Sequence, residues 1–148
     1  MSHIGLEETL LGGQSFSWTA TTASSWKGVI DKSVVELRLS EEKLEWRTGK
    51  KCPFTSNKLR DYLWLDPSFT EAIDSLPWRS DPVLDRCMKK LSGLRILRQP
   101  MDEVLLVFLL SSVKSIPQIK EMKELVAKKY GEPLELGLWS FPGWEKLA

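Results

Sequence analysis

Side chains that commonly carry catalysis or bind metal ions are few in this sequence. The only histidine, His3, lies near the start, and the two cysteines, Cys52 and Cys87, are far apart. Zinc and iron–sulfur sites need several such ligands at short spacings. We therefore expect no metal site and no cofactor. Isolated cysteines also fit a reducing compartment, where they act as small apolar residues.

Charge gives no direct indication of a nucleic-acid partner. The 148 residues carry 21 basic and 20 acidic side chains, a net charge of +1. A protein that holds a phosphate backbone by itself usually has a larger positive excess or a basic stripe. Here the lysine doublets at 50–51, 89–90 and 128–129 are scattered, so any argument for DNA binding needs other evidence.

The chain shows no targeting or membrane pattern. The first residues lack the charged-then-apolar layout of a signal peptide, and the longest apolar run, residues 104–110, is too short to span a bilayer. We expect an intracellular protein with no membrane partner, cytoplasmic in a prokaryote or nuclear in a eukaryote.

The first 50 residues have the two-residue apolar alternation that is typical of strands. Four or five short strands with small connections predict an antiparallel sheet with one face covered by other elements. The predicted strands are residues 6–11, 14–18, 26–30, 34–39 and 44–47.

The pattern becomes helical after Pro53. Predicted helices follow Thr55 or Ser56, begin at Pro82 and after Pro100, and cover about 116–129. Residues 104–110 are apolar all round, which indicates a buried central helix. Strands followed by helices predict an α+β fold. The seven tryptophans are expected mainly to fill the core.

The last residues look like the start of a further helix. Residues 141–148 read FPGWEKLA. A helix that is apolar all round needs neighbours on every side, yet only one good amphipathic helix follows residue 110. We therefore expect the core around this helix to be incomplete within the 148 residues.

Residues 13–18, GQSFSW, are the first of two motifs that resemble a known family. They are similar to the G-Q-S-F-R-W strand of the 8-oxoguanine DNA glycosylase family, with Ser17 in place of the arginine. Residues 94–100, LRILRQP, with Glu103 and Phe108, are similar to the L-R-Q-D-P-x-E segment. Ser111-Ser112 then matches the start of the family's S-S-N-N-N, and the final Phe-Pro matches the start of its next helix.

The resemblance implies a fold and a domain organisation. Residues 1–93 correspond to the family's amino-terminal domain, a twisted antiparallel sheet with packed helices, similar to the TATA-binding protein. Residues 94–148 correspond to the first helices of its helix-hairpin-helix domain. The function implied is the amino-terminal portion of a base-excision-repair glycosylase and AP lyase. Its expected partners are duplex DNA that contains 8-oxoguanine and the missing carboxy-terminal half.

Gly13 is the lesion-recognition residue that the resemblance implies. In the family, this glycine offers its backbone carbonyl to the N7–H that oxidised guanine has and guanine lacks. One acceptor placed for such a donor discriminates strongly, because it is otherwise left buried without a partner. The local sequence also allows a simpler interpretation, in which Gly12-Gly13 is only a tight bend.

Residues 113–115 are the implied DNA-contacting residues. The family uses the first asparagine of S-S-N-N-N to fill the gap left by the flipped base and to bond the orphaned cytosine. Val113 lacks those hydrogen-bonding groups but can still act as an apolar wedge, and Lys114 can reach a phosphate. The stretch, which ends at Ser115, is equally well explained as the polar end of a helix.

No catalytic residue is expected within the chain. The family's chemistry requires an L-P-G-x-G hairpin with a lysine nucleophile and a later aspartate, and none is present. Pro142-Gly143 lacks the second glycine, and Lys114 and Lys120 are expected to be surface lysines. The alternative to a lesion-recognising portion of an enzyme is a non-catalytic module, descended from the family, that binds DNA or a protein.

Overall fold

Four short strands form an antiparallel sheet in the computed structural model, which describes residues 2–41, 43–49 and 53–147. Consecutive strands pair in the order β1-β2-β3-β4. Together with the helices they confirm the predicted α+β fold. The strands are β1 (Trp18–Thr22), β2 (Ser25–Ile30), β3 (Ser33–Ser40) and β4 (Lys43–Thr48).

One face of this sheet carries the main core. Alternating residues of β1 to β3 point into it, and Trp18, Trp26 and Leu37 are almost fully buried there. Helices cover this face, as predicted. The cluster comprises Leu6, Leu10, Trp18, Trp26, Ile30, Val35, Leu37, Phe54, Leu59, Tyr62, Leu63 and Leu97.

The segment predicted as the first strand is a helix, α1 (His3–Leu11). Ser2 caps it, because its hydroxyl oxygen accepts from the Gly5 N–H at 3.0 Å. Leu6 and Leu10, one helical turn apart, are both fully buried. The strand prediction was wrong because Leu6 and Leu10 have the four-residue spacing of a buried helical face and Ser2 caps the helix.

The second strand, predicted over residues 14–18, was also wrong for residues 14–17, because β1 begins only at Trp18. The backbone before Trp18 belongs to no strand. Instead the Gln14 side chain connects this segment to residues 95–97.

Six helices are present among the described residues. Besides α1, they are α2 (Ser56–Tyr62), α3 (Ser68–Ser75), α4 (Pro82–Lys90), α5 (Met101–Leu110) and α6 (Ile116–Tyr130). All of the predicted helices occur, and α3 was not predicted. The predicted start of a helix after residue 141 is a single 3₁₀ turn, Trp144–Lys146.

The described residues cover helix α5 on one side only, which agrees with the predicted incomplete core around it. Only Glu103 and Val107 are buried, whereas Phe108 is 71% exposed and Leu109 is 60% exposed. The composition of α5 is that of a core helix, but no described part of the chain covers its outer face.

The segment after α6 returns along the second face of the sheet. Pro133 and Trp139 form a bridge, and Ser140 N–H donates to the Glu132 carbonyl at 2.9 Å. A cavity between Val34 and Leu136 shows that this segment lies against β3. The division into domains at residue 93 stays a prediction. Cys52 and the 50–51 doublet lie outside the described residues. Among the residues that the structure describes, no helix is long and apolar enough to cross a membrane.

Candidate functional site

The site is organised around Gly13, which follows the end of α1. Gly13 has a φ of +95°, a backbone region that side-chain-bearing residues rarely adopt. A Cβ built there would lie 3.1 Å from Ile116 Cδ1. Both the conformation and the close approach therefore favour glycine at this position.

Three hydrogen bonds hold the residue next to Gly13. The Gln14 side chain donates to the Arg95 carbonyl at 2.7 Å and accepts from the Leu97 N–H at 2.9 Å. The Gln99 side chain in turn donates to the Gln14 carbonyl at 2.6 Å. The Gly13 backbone is therefore fixed against residues 95–99 without belonging to the sheet.

Gly13 lines a cavity of about 340 Å³ between this segment, α5 and α6. Most of the lining is apolar, with a few polar groups at its edges. Such a cavity suits a flat, mostly apolar group that carries a few hydrogen-bonding atoms. The lining residues are Gly12, Gly13, Gln14, Phe16, Gln99, Glu103, Val104, Val107, Phe108, Ser111, Ile116 and Ile119.

The α5–α6 turn contains the other site residues predicted from sequence. Val113 has a φ of +58° and is 99% exposed. Lys114 is exposed, and Ser115 begins α6, where its N–H donates to the Gln118 side-chain oxygen at 2.9 Å. None of these three lines the cavity, but Ile116, the next residue, contacts Gly13. Of the predicted site residues, Gly13 lines the cavity, whereas residues 113–115 lie in the turn between two lining residues, Ser111 and Ile116.

Sequence reasoning missed a buried ion pair behind this cavity. Lys123 Nζ lies 2.5 Å from Glu103 Oε1, and the Ser17 hydroxyl donates to the same oxygen at 2.7 Å. Lys123 also donates to the Ser17 hydroxyl. Burial lowers the pKa of Lys123, while the Glu103 carboxylate opposes this shift by stabilising the ammonium. The signal available in sequence was the four-residue spacing of Ile119, Lys123 and Ala127.

A second cleft, of about 290 Å³, lies on the other side of this ion pair. Phe16 and Glu103 line both cavities and therefore form the wall between them. Ser17 and Lys123 line only the second cleft, together with Trp139 and other residues of α6 and the return segment.

No metal-binding cluster is evident in the described part of the chain. Within that part, no group of three or more His, Cys, Asp or Glu side chains is placed to hold a metal ion. Lys120 donates to the Trp18 carbonyl at 2.7 Å and to the Thr19 hydroxyl at 2.9 Å. This lysine connects α6 to β1, which is a structural role.

Comparison with known proteins identifies this arrangement. A family model described as 8-oxoguanine DNA glycosylase, N-terminal domain, matches residues 1–105. The fold also matches MBOgg1, solved in complex with a low-affinity DNA ligand, with a TM-score of 0.85 and 33% identity. That match covers 99% of this chain and 51% of the MBOgg1 chain.

Two further matches are to the 8-oxoguanine glycosylase/lyase of Clostridium acetobutylicum, each at 29% identity and covering 96% of this chain. Its apo form gives a TM-score of 0.84, with 50% of that chain covered. Its complex with double-stranded DNA containing cytosine opposite 8-oxoguanine gives 0.83, with 49% covered. The present chain thus spans about half the length of these proteins.

Proposed function

The chain belongs to the 8-oxoguanine DNA glycosylase family, and on that basis we propose that it is the amino-terminal portion of an 8-oxoguanine DNA glycosylase/lyase. Its contribution is recognition of the oxidised base and binding of the damaged duplex. The chemistry of base removal resides in a carboxy-terminal half. A base must leave the duplex to be reached by such an enzyme, so a cavity that receives it is required.

The observation that carries the proposal is the cavity at Gly13. The resemblance assigns to this position a backbone carbonyl that accepts from the N7–H of oxidised guanine. Gly13 lines a largely apolar cavity, and the bonds at Gln14 fix the neighbouring backbone. An acceptor held in this way needs no reorganisation when the base arrives. The simpler interpretation, a bend after α1, accounts for the glycine but not for the cavity beside it.

The α5–α6 turn is proposed to contact the DNA around the lesion. Val113 is almost fully exposed at the tip, so its side chain is available to enter the gap left by the flipped base. Lys114 follows it and can approach a phosphate. Ser115 begins α6, where backbone N–H groups favour anions.

The outer face of α5 is proposed to receive the carboxy-terminal half of the enzyme. Leu105 and Leu109 are exposed on it. Contiguous exposed apolar side chains usually mark a surface that another part of a protein covers. In a non-catalytic module, the alternative function, the same face would bind a protein partner or a second copy of the chain.

The first experiment compares the affinity of the chain for two duplexes that differ only in one base, 8-oxoguanine or guanine. Gly13→Ala is expected to reduce the lesion preference about tenfold, or roughly 1.4 kcal/mol, because the added methyl displaces the backbone. Fluorescence anisotropy at fixed salt concentration measures both affinities.

Gly143→Ala is the matched control, since nothing lies within 4 Å of a Cβ built at Gly143. A wild-type chain without any preference for the oxidised base would contradict the proposed function. Joining the chain to the carboxy-terminal half of a family member separates the alternatives, because only the glycosylase portion then supports incision at 8-oxoguanine.

A further inference from the structure

Three elements meet at the ion pair behind the Gly13 cavity. Glu103 comes from α5, Lys123 from α6, and Ser17 from the segment immediately before β1. Glu103 is 8% exposed and Lys123 is 5% exposed. The Ser17 hydroxyl and the Lys123 ammonium both bond Glu103 Oε1, at 2.7 Å and 2.5 Å.

The Glu103 carboxylate needs this compensation. A buried carboxylate without a partner is strongly unfavourable, and removing one member of a buried pair leaves the other uncompensated. Lys123 is the only cation that bonds Glu103 among the described residues. The position of the Glu103 carboxylate therefore depends on Lys123.

Glu103 also lines the cavity that contains Gly13, whereas Lys123 does not. Any effect of Lys123 on a base in that cavity must act through Glu103. An uncompensated carboxylate there would move into the cavity or toward water and would oppose a polyanionic ligand.

We propose that Lys123 is a positioning residue for lesion recognition, holding and neutralising Glu103 so that the wall of the Gly13 cavity keeps its shape. This inference rests on the proposed function. The family motif has an arginine at position 17, where this chain has serine. In this chain the cation beside Glu103 is Lys123 of α6.

A reciprocal exchange tests the inference. Lys123→Met removes the cation while keeping a long side chain, and the double variant Ser17→Arg with Lys123→Ser returns the cation to the motif position. Both residues line the cleft of about 290 Å³, so space is available for the arginine. Lys120→Met is the matched control, because Lys120 joins α6 to β1 without contacting Glu103.

Thermal unfolding and the affinities for 8-oxoguanine and guanine duplexes are measured for each variant. Lys123→Met is expected to lower the unfolding temperature and to reduce the lesion preference about tenfold. The double variant is expected to recover most of both losses. Lys120→Met is expected to keep the preference.

Several results would overturn the inference. It fails if folded Lys123→Met keeps the lesion preference, if Lys120→Met loses as much of it, or if the double variant recovers nothing. Should Lys123→Met fail to fold, the double variant decides: folding with the preference supports the inference, and any other behaviour contradicts it.

The two proposals fail in distinguishable ways. If the wild-type chain has no preference for the oxidised base, both the proposed function and the role of Lys123 in recognition are contradicted. If the wild-type chain has the preference and Lys123→Met keeps it, only the role of Lys123 is contradicted.

Discussion

Val113 combines two features at the scale of a single residue that rarely occur together. It is β-branched with a φ of +58°, and it is 99% exposed. Left-handed backbone is strained for a branched side chain, and an exposed valine gains nothing from burial. Strain that persists without a packing benefit is typical of functional positions.

Val113→Asn is expected to raise the free energy of unfolding by up to about 1 kcal/mol, since asparagine tolerates left-handed backbone better. It also restores the amide that the family resemblance places there. The lesion affinity should then become selective for cytosine opposite 8-oxoguanine, by roughly tenfold. Urea unfolding and anisotropy with four duplexes, each with a different opposite base, measure the two effects.

Val113→Gly separates strain from recognition. It relieves the left-handed backbone but brings no hydrogen-bonding group, so stability should rise without any opposite-base preference. If Val113→Asn also has no preference among the opposite bases, the α5–α6 turn does not recognise the opposite base.

At the scale of elements, the contact between α2 and β1 depends on one phenol. The Tyr62 hydroxyl accepts from Trp18 Nε1 at 3.0 Å inside the core. Burial raises the pKa of Tyr62 from 10.0 to about 12. The unfolded chain therefore ionises first as the pH rises, and the stability contributed by the neutral phenol is complete below pH 10.0 and lost on approach to pH 12.

Tyr62→Phe should abolish this part of the alkaline loss, which amounts to about 2–3 kcal/mol. The substitution itself costs roughly 1–3 kcal/mol at neutral pH, because Trp18 Nε1 loses its acceptor. Urea unfolding at pH values from about 8 up to the raised pKa of Tyr62, about 12, measures the alkaline loss and the cost of the substitution. Tyr130→Phe, which removes an exposed phenol, is the matched control, and an unchanged alkaline slope in Tyr62→Phe would contradict the assignment.

The elements also show how far the sequence predicts this fold. Strands β2 to β4 follow from apolar alternation because one face of each meets the core. Helix α1 was missed although Ser2, Leu6 and Leu10 carry its cap and its buried stripe. Two competing periodicities in nine residues are difficult to separate without knowing which neighbours the segment has.

The candidate site divides in the same way. Gly13 was singled out by a motif, and its backbone conformation favours glycine; its role in lesion recognition stays a prediction. The pairing of Glu103 with Lys123 was not found, since it joins two helices whose relative placement no local pattern gives. The incomplete cover of α5 was expected, because only one amphipathic helix follows a helix whose residues are apolar all round.

At the scale of the whole molecule, the outer face of α5 determines what the chain needs from a partner. Leu109→Glu should change the free energy of unfolding of the chain by less than about 0.5 kcal/mol, because Leu109 is 60% exposed. It should weaken association with a family member's carboxy-terminal half, since a charge would be buried there.

Sedimentation velocity of the mixed halves measures this association. Val83→Glu on α4 is the matched control, as Val83 is 59% exposed but lies on another surface. Equal association of the Leu109 and Val83 variants would show that the outer face of α5 is not where the second half packs.

The attachment of Gln14 has a consequence for the order of folding. The Gln14 side chain bonds the backbone of Arg95 and Leu97, which lie 81 and 83 positions further along the chain. Closing a loop of that length loses chain entropy before its contacts form, which makes such contacts slow to appear. The strands and α1 can assemble earlier from nearer neighbours, so we expect the geometry at Gly13 to be among the last features to form and among the first to open.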